Sequence, residues 1–460
     1  MAENKITLIG AGLAGSLLSI YLAKRGYPVE VYERRPDMRD VSMSAGRSIN
    51  LAISTRGLNA LSHVGMEQGI LDLAIPMRGR LLHAHDGSLS FQPYSQNKSE
   101  VINSVSRGEL NKQLLDEAEK RYGVTFHFGQ KCVGMNFKNR LVHFEGPGEE
   151  THAVYAAHPV IGTDGSASAI RSGMLHHGRF NFSQDYLKHG YKELTIPPGP
   201  KGSFSLEKNA LHIWPRRTFM LIALPNLDGS FTCTLFLPFE GAPSFDSLRT
   251  ESDVVRLFEE EFPDAAVLIP NLVEDFFANP TGSLVTIKCY PWSVSNQSCL
   301  LGDAAHAVVP FFGQGMNCAF EDCVILDQCI QEHRGDWMQI FASFQRTRKA
   351  DADAIADMAL ENYFEMRDHV ADPHFLLRKA IEFELEKKYP DKFVPRYCMV
   401  SFRLMPYSVA RSRGQLQETL LEKLCAGINA LQEVDWNLAE QLVHGLPPLN
   451  QQQDNAAAKS

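Results

Sequence analysis

The sequence lacks several features that would each have pointed to a function class. Its nine cysteines include no Cys-x-x-Cys pair, and no cysteine–histidine cluster has zinc-ligand spacing. The nearest grouping, Cys318, Cys323 and Cys329, falls on a stretch with helical patterning, where small buried side chains are expected and no metal is predicted. Free thiols fit a reducing, cytoplasmic compartment. Positive charge is not in surplus: 45 Lys and Arg face 54 Asp and Glu, for a net charge of -9. That balance argues against a nucleic-acid surface. No run of eighteen apolar residues occurs, so no membrane span and no membrane partner are expected. A first strand opens near Lys5, which argues against a signal peptide. The far end, PPLNQQQDNAAAKS, is polar, and residues 451–460 are expected to be a disordered tail.

What is present is an ordinary globular composition, 44% hydrophobic and 22% charged over 460 residues, enough for two or three domains. The most informative stretch is KITLIGAGLAGSLLSIYLAKRGYPVEVYE. It reads as a strand Lys5–Ile9, a helix from Leu13 to about Arg25, and a strand from Val29 ending at Glu33. Gly10, Gly12 and Gly15 sit at the first strand-to-helix turn, as G-x-G-x-x-G. Gly10 permits the tight turn, Gly12 lets backbone approach a pyrophosphate, and Gly15 lets helix and strand pack closely. The helix N-terminus offers unpaired N–H groups and a positive dipole end to phosphates. Glu33 stands where a carboxylate accepts hydrogen bonds from a ribose diol. Arg34 and Arg35 follow. The preceding acid disfavours a 2′-phosphate, so one arginine is expected on the adenine nucleotide and the other in solvent.

Further along, residues Pro36 to Ala45 read as a polar loop, then a strand Ile49–Ile53, a helix Thr55–Val64 and another near Glu67. MRGRLLHA places Arg78 and Arg80 two apart on a strand, so alternation puts both on one face. They fit a carboxylate fork or, equally, an exposed basic edge. Tyr94 follows a proline turn in FQPYSQ. Ser106 is an expected N-cap with Glu109 as its capping-box partner, and Arg107 opens the helix. A cation at a helix N-terminus opposes the dipole unless an anion lies there, which suggests a phosphate contact. Strands Val124–Phe128, Val133–Phe137, Leu141–Phe144 and Ala153–Ile161 come next, the last running into Gly162, Thr163, Asp164 and Gly165. From Gly190 to Phe239 the pattern becomes an antiparallel sheet: YKELTI, ALHIWP, FMLIALP and FTCTLFLP, with NLDG as a hairpin turn. Ile222, Leu224 and Phe236 are either its ordinary core or the roof of an apolar pocket. A helix Ser247–Phe262 and strands Ser283–Lys288 and Ser298–Leu301 follow.

The second informative stretch is CLLGDAAHAVVPFFGQGMNCAFEDCVIL. A buried strand ends at Gly302-Asp303, where a carboxylate can hold a polyol hydroxyl. Gly313 and Gly315 open a helix at Met316 whose dipole contributes roughly 0.3–1 kcal/mol to an electron-rich ring carbonyl. His306 reads as a helix cap or a phosphate neighbour. In ADADAIADMALENYFEM, Met358, Asn362 and Met366 share a helix face. An inward amide between two thioethers needs a partner, either backbone or a ligand.

GAGLAG with Glu33, Arg107, the Asp164-Gly165 pair and LLGDAAH-PFFGQGMN together resemble the single-component FAD-dependent aromatic hydroxylases. GRSINLA, MRGR, FQPY, HGYKEL, ALHIWP, ALPNLDGSFTCTLF and MALENYFEMRD are similar to the branch of that family that hydroxylates kynurenine. The resemblance covers nearly the whole chain. It implies FAD as cofactor, NADPH and O2 as co-substrates, and L-kynurenine converted to 3-hydroxykynurenine in tryptophan degradation towards quinolinate. It implies that Arg80, Tyr94, Asn362 and Tyr397 hold the amino-acid head, and that Ile222, Leu224, Phe236, Pro310, Phe311 and Met366 line the ring. It extends the FAD set from Gly10, Gly12, Gly15, Glu33, Arg34, Arg35, Arg107, Asp164, Asp303, Gly313 and Gly315 to Leu13, Ala14, Ala52, Cys132, Met316 and Asn317. No side chain is expected to act as acid, base or metal ligand. One departure stands out: Phe312 replaces a polar residue found in some relatives. A homodimer is left open. Two other readings survive: a flavin hydroxylase of another aromatic acid, and a non-catalytic FAD-binding redox sensor.

The expected fold is α/β: a Rossmann-like FAD-binding domain of aromatic hydroxylase type at residues 1–180 and 280–370, an antiparallel-sheet substrate domain at 181–279, and a C-terminal helical cap at 371–450.

Overall fold

The computed structural model describes residues 5–40, 50–369 and 373–449. Residues 41–45 of the loop expected at 36–45, the start of GRSINLA and the tail 451–460 lie outside the described residues.

The opening βαβ unit forms as its pattern requires. Strand Ile6–Ile9 is buried throughout and pairs in parallel with Val29–Glu33 on one side and Val160–Gly162 on the other. Helix Leu13–Lys24 packs against helices Arg107–Lys120 and Gly315–His333, so it is apolar around most of its circumference. Leu17, Ile20 and Leu22 are fully buried, each worth roughly 1.5–3 kcal/mol. The full sheet runs 293–294, 298–300, 160–162, 6–9, 29–33, 125–128, parallel except for the first pair.

A seven-stranded sheet forms the second layer, in the order Gly282–Tyr290, Asn181–Ile196, Phe231–Pro238, Phe219–Pro225, Leu211–Arg216, Gly79–His83, Leu89–Pro93. It is antiparallel apart from the pairing of Leu211–Arg216 with Gly79–His83. The sheet therefore draws strands from outside residues 181–279. Both faces are buried, as period-2 alternation allows. Leu221, Ala223, Leu235 and Leu237 pack under helix Glu251–Glu261. Met220, Leu224 and Phe236 face the other way, into a core shared with helix Trp337–Phe364. Two three-stranded sheets and the helices Pro373–Lys388, Arg396–Ser401, Tyr407–Cys425 and Trp436–His444 complete the fold. Among the described residues no helix is long and apolar enough to cross a membrane.

Two sequence expectations change here. The single strand Ala153–Ile161 is two, Thr151–Tyr155 and Val160–Gly162, in different sheets. The break falls before Pro159, which lacks the N–H a ladder needs. Arg78 and Arg80 do not share a face: Arg78 is the exposed link between strand Ala74–Met77 of one sheet and Gly79–His83 of another, and only Arg80 turns inward.

Candidate cofactor cleft and substrate pocket

Three parallel strands end side by side, and each delivers a polar or glycine turn. At the first, Gly10 has φ +103°, and a Cβ there would meet the Thr163 carbonyl oxygen at 2.6 Å. A Cβ on Gly15 would lie 2.0 Å from the Gly10 carbonyl oxygen. Both glycines are thus demanded by the chain's own packing. Gly12 is not: its φ of -72° suits any residue and its Cβ would meet nothing within 4 Å. The space beside it is what a pyrophosphate at the helix N-terminus requires, and no side chain caps that helix. Thr163 Oγ1 donates to the carbonyls of Ile9 and Gly10 at 2.9 Å, tying the second strand end to the glycine turn.

Glu33 is buried; its Oε2 accepts the Ala11 N–H at 2.8 Å, and its Oε1 accepts the Arg35 backbone N–H and Nε. Burial pushes this carboxyl up, but Arg35 and the backbone donors outweigh it, so it stays below the usual range and ionised. Arg34 is exposed. Ser106 caps helix Arg107–Lys120 by accepting the Glu109 N–H, while the Glu109 carboxylate pairs with Lys112. Arg107 is exposed, within electrostatic reach of Asp303 and Glu193.

Asp164 accepts the Ala169 N–H at 2.7 Å through Oδ2, while its buried Oδ1 has no partner. Burial pushes the Asp164 carboxyl up. Cys132 lies near enough to feel the Asp164 charge, and burial pushes its thiol up to about 12. Asp303, at the third strand end, reaches solvent although protein surrounds it, and that enclosure pushes its carboxyl up against Arg107 and His306. It is placed there by Gly302, which packs between Ala14 and Ala319. An orphaned carboxylate oxygen, an accessible carboxylate in an enclosed wall and a glycine with open space beside it fit a dinucleotide carrying hydroxyls and phosphates.

Behind this wall lies a buried ion network that no motif announced. Asp322 accepts the Gly302 N–H at 3.1 Å, pairs with His306 Nε2 at 2.6 Å and accepts Arg348 Nε at 2.8 Å. Arg348 also donates to Glu321, which binds Arg56, and Arg56 donates to the Val400 and Met405 carbonyls. His306, expected as a helix cap or phosphate neighbour, turns inward; burial would depress it, but Asp322 holds it well above its ordinary range. The only sequence signal was acid in an apolar helix phase, Asp322 within AFEDCVIL. Asn317 is likewise committed internally: its amide accepts the Ser54 N–H and donates to the Ala52 and Gly313 carbonyls. It staples the turn before Met316 to strand Asn50–Ile53. Gly313, at φ +66°, ends the short helix Pro310–Phe312, and Gly315 opens the long helix.

The residues expected to hold the substrate come from seven elements and the loop after strand Leu89–Pro93. Arg80 is buried, with its guanidinium carbon 5.3 Å from the Tyr397 ring centre and 5.9 Å from that of Tyr94. Tyr94 and Tyr397 stack at 4.9 Å, and Tyr397 stacks on Phe312 at 5.4 Å. Burial pushes both phenols up, so each remains a protonated donor. The Tyr94 hydroxyl makes no hydrogen bond of ordinary geometry. Leu224, Phe236, Phe311 and Met366 share one apolar core, with Ile222 packed against it and Pro310 exposed beside Phe311. Asn362 donates to the Phe311 carbonyl at 2.6 Å, the backbone alternative for this buried amide. Glu365, which the sequence did not single out, lies 3.7 Å from Arg80. A groove of roughly 790 Å³ between Glu251 and Glu274 shares no residue with this site.

The chain matches the family described as FAD binding domain over residues 3–185 and 289–358. It is 53% identical over 443 residues to the kynurenine 3-monooxygenase of Myxococcus xanthus, covering 96% of this chain and 95% of that one. It is 48% identical to that of Flavobacterium psychrophilum, covering 95% and 97%. It is 44% identical to that of Dictyostelium discoideum, covering 96% and 98%. Among solved structures, tetrameric 2-methyl-3-hydroxypyridine-5-carboxylic acid oxygenase superposes with a TM-score of 0.66 at 19% identity, covering 83% of this chain and 96% of the other, which establishes the shared fold. With its FAD binding domain and near full-length identity to these enzymes, the chain belongs to the kynurenine 3-monooxygenase family.

Proposed function

We propose that this protein hydroxylates L-kynurenine at ring position 3, using NADPH and O2 with FAD as cofactor, in a reducing cytoplasmic setting consistent with its free cysteines. The observation that carries the reading is Arg80: a guanidinium buried beside the stacked phenols Tyr94 and Tyr397, whose cluster of side chains includes the apolar Leu224, Phe236 and Phe311. Bound FAD would supply hydride acceptance and oxygen activation, chemistry no side chain here can perform.

Gly12 and the helix it opens, Glu33, Asp164 and Asp303 would hold the cofactor's phosphates and hydroxyls. Arg80 would grip the substrate carboxylate, with charged hydrogen bonds worth roughly 1.5–3 kcal/mol each. Tyr94 and Tyr397 would donate their hydroxyls to the same head group. Ile222, Leu224, Phe236, Phe311 and Met366 would hold the ring and keep water from the reacting carbon. Asn362 would border the head group, and its hydrogen bond to the Phe311 carbonyl fixes the segment that would carry that ring contact. Phe312 offers no proton, so any proton moves through water or backbone at this position. The substrate's own aniline nitrogen enriches the ring, so no protein base is needed. The test is NADPH oxidation by purified protein with and without L-kynurenine. Stimulated oxidation with 3-hydroxykynurenine as product is expected; a rate indifferent to kynurenine, without that product, would refute the reading. A flavin hydroxylase of another aromatic acid would show stimulation by that acid instead.

A further inference from the structure

We propose that His83 is a positioning residue: held as an imidazolium between Asp264 and His212, it clamps the hairpin that carries Arg80 and leads into Tyr94, and the clamp loses a bond when the ring loses a proton. The role rests on the kynurenine reading for its ligand, and goes beyond it to what holds that hairpin in place.

Strands Gly79–His83 and Leu89–Pro93 form a hairpin at one end of the seven-stranded sheet, and Tyr94 follows it directly. The hairpin joins the rest of the sheet through a short parallel ladder, in which Arg80, Leu81 and Leu82 lie opposite Leu211, His212 and Ile213. Alternation along the strand sends Arg80 to the pocket face and His83 to the opposite face. There His83 is buried and stacks on Trp214 at 4.0 Å. Its Nδ1 lies 2.6 Å from Asp264 Oδ2, on the short helix Pro263–Ala266. That separation is short, as a charge-assisted bond is. Its Nε2 lies 2.9 Å from His212 Nδ1, and His212 Nε2 lies 2.8 Å from the Glu207 carbonyl oxygen. Trp214 Nε1 donates to both Asp264 oxygens at 2.9 Å.

Hydrogen-bond polarity fixes the protons along this chain. The Glu207 carbonyl only accepts, so His212 Nε2 donates. Burial pushes His212 down to about 4, so its ring is neutral and its Nδ1 accepts. His83 Nε2 must then donate. Burial pushes the Asp264 carboxyl up, but His83 and Trp214 outweigh this and hold it below the usual range, so it accepts from His83 Nδ1. A ring that donates from both nitrogens is an imidazolium. A neutral His83 cannot complete the chain. With its proton on Nδ1, its Nε2 lone pair faces the lone pair of His212. If His212 shifts its own proton to Nδ1 to meet it, the Glu207 carbonyl loses its donor. Either way a buried polar group is left unpaired, which is costly. The other charged groups around the ring are already engaged. Arg216 donates to the His83 carbonyl at 3.0 Å and to the Glu261 carbonyl at 2.6 Å. The Glu261 carboxylate lies 3.7 Å from Arg216 and 3.8 Å from His85, and the Glu207 carboxylate accepts the Asn209 N–H at 2.8 Å. The clamp is therefore complete at low pH and loses one bond as pH rises.

The experiment uses FAD-loaded protein, with Kd for L-kynurenine read from the perturbation of bound-flavin absorbance between pH 6 and pH 9. The parent is compared with His83→Gln, which keeps one donor and cannot titrate. Titration of the ligand, of His85 and of the phenols enters both proteins alike and cancels in the ratio of their Kd values. At pH 6 the parent should bind roughly threefold to tenfold more tightly than the variant, and the ratio should fall towards one by pH 9, with FAD content equal. Asp264→Asn keeps an acceptor for His83 and Trp214 but removes the charge, and should lose the same pH-dependent advantage. A Kd ratio constant from pH 6 to pH 9 would show that His83 only fills space, and the proposal is then wrong. A measurement on the parent alone needs no variant to fold. With 15N-labelled histidine, the ring showing nuclear Overhauser contacts to the Trp214 indole N–H should carry protons on both nitrogens at pH 7; one N–H only on that ring overturns the proposal. A parent that binds no L-kynurenine at any pH would sink the substrate reading instead, and the labelled ring, observed without ligand, still decides the charge state of His83.

Discussion

The cofactor cleft and the substrate pocket are built by opposite means. The cleft is made by backbone: glycine turns at the ends of strands Ile6–Ile9, Val160–Gly162 and Ser298–Leu300, with a few carboxylates fixed by N–H groups. Each turn is local, and its sterics are absolute. The pocket is made by side chains from the strands carrying Arg80, Ile222, Leu224 and Phe236, the loop at Phe311, and the helices bearing Asn362 and Tyr397. Its parts are replaceable one at a time. Substitutions in the first should abolish cofactor binding or folding outright, and those in the second should grade ligand affinity while the flavin stays bound.

The largest effect belongs to Gly15→Ala. A methyl 2.0 Å from the Gly10 carbonyl oxygen forces helix and strand apart. Little or no FAD should copurify, and the apoprotein should melt several degrees below the parent apoprotein. Gly12→Ala is the informative partner. Its Cβ meets no protein atom, so the apoprotein should melt as the parent does while FAD affinity falls at least about tenfold. If Gly12→Ala binds FAD normally, that glycine is not answering to a pyrophosphate.

Next comes Asp322→Asn, which leaves Arg348 and His306 buried with a weakened partner and loosens the Gly302 turn that presents Asp303. Breaking a buried pair of this kind costs roughly 3–5 kcal/mol. The denaturation midpoint should fall accordingly, with FAD lost early in the transition. A midpoint within about 0.5 kcal/mol of the parent would show that the network contributes little stability.

The contrast also explains what could be read from sequence. The opening βαβ unit was legible because Gly10, Gly12, Gly15 and Glu33 are close in sequence and their spacing is itself the geometry. The Asp164 and Asp303 turns were legible for the same reason. The seven-stranded sheet was legible only between Gly190 and Phe239, since nothing in GRLLH shows that it pairs with LHIWPR some hundred and thirty residues later. Asn362 was recognisable as a buried amide, yet its bond to the Phe311 carbonyl depends on how a distant loop lands. Glu365, Asp322, Arg348 and Arg56 were invisible because a buried charge looks like a surface charge until its partner is known.

Arg80→Ala tests the pocket as Gly12→Ala tests the cleft. FAD content should be unchanged, because no cofactor-side residue touches Arg80 in the contacts described. L-kynurenine affinity should fall by roughly 2–4 kcal/mol, about thirtyfold to a thousandfold. Lost flavin with retained kynurenine affinity would reverse the roles given to the two regions.

The smallest effect concerns the pocket's back wall. Cys398 donates to the Tyr94 carbonyl, and Gln96 donates to Phe383 on helix Pro373–Lys388, which also carries Glu386. Glu386 Oε2 is buried without a partner. Burial, with Glu100 adding and Arg403 opposing, pushes its carboxyl up to about 7. A carboxyl whose folded pKa is raised binds its proton more tightly in the folded state. Its contribution to stability is therefore fully present below the unfolded value, near 4.5, and is lost as pH rises through about 7. Glu386→Gln keeps the neutral shape at every pH. The variant should melt with the parent at pH 5 and above it at pH 8, by a modest margin because the group is partly solvated. Thermal melts of the FAD-loaded protein at the two pH values check this. A variant that melts below the parent at pH 8 would mean that the ionised Glu386 is a stabilising partner of Arg403, and that the back wall is held by charge as the Arg80 side is.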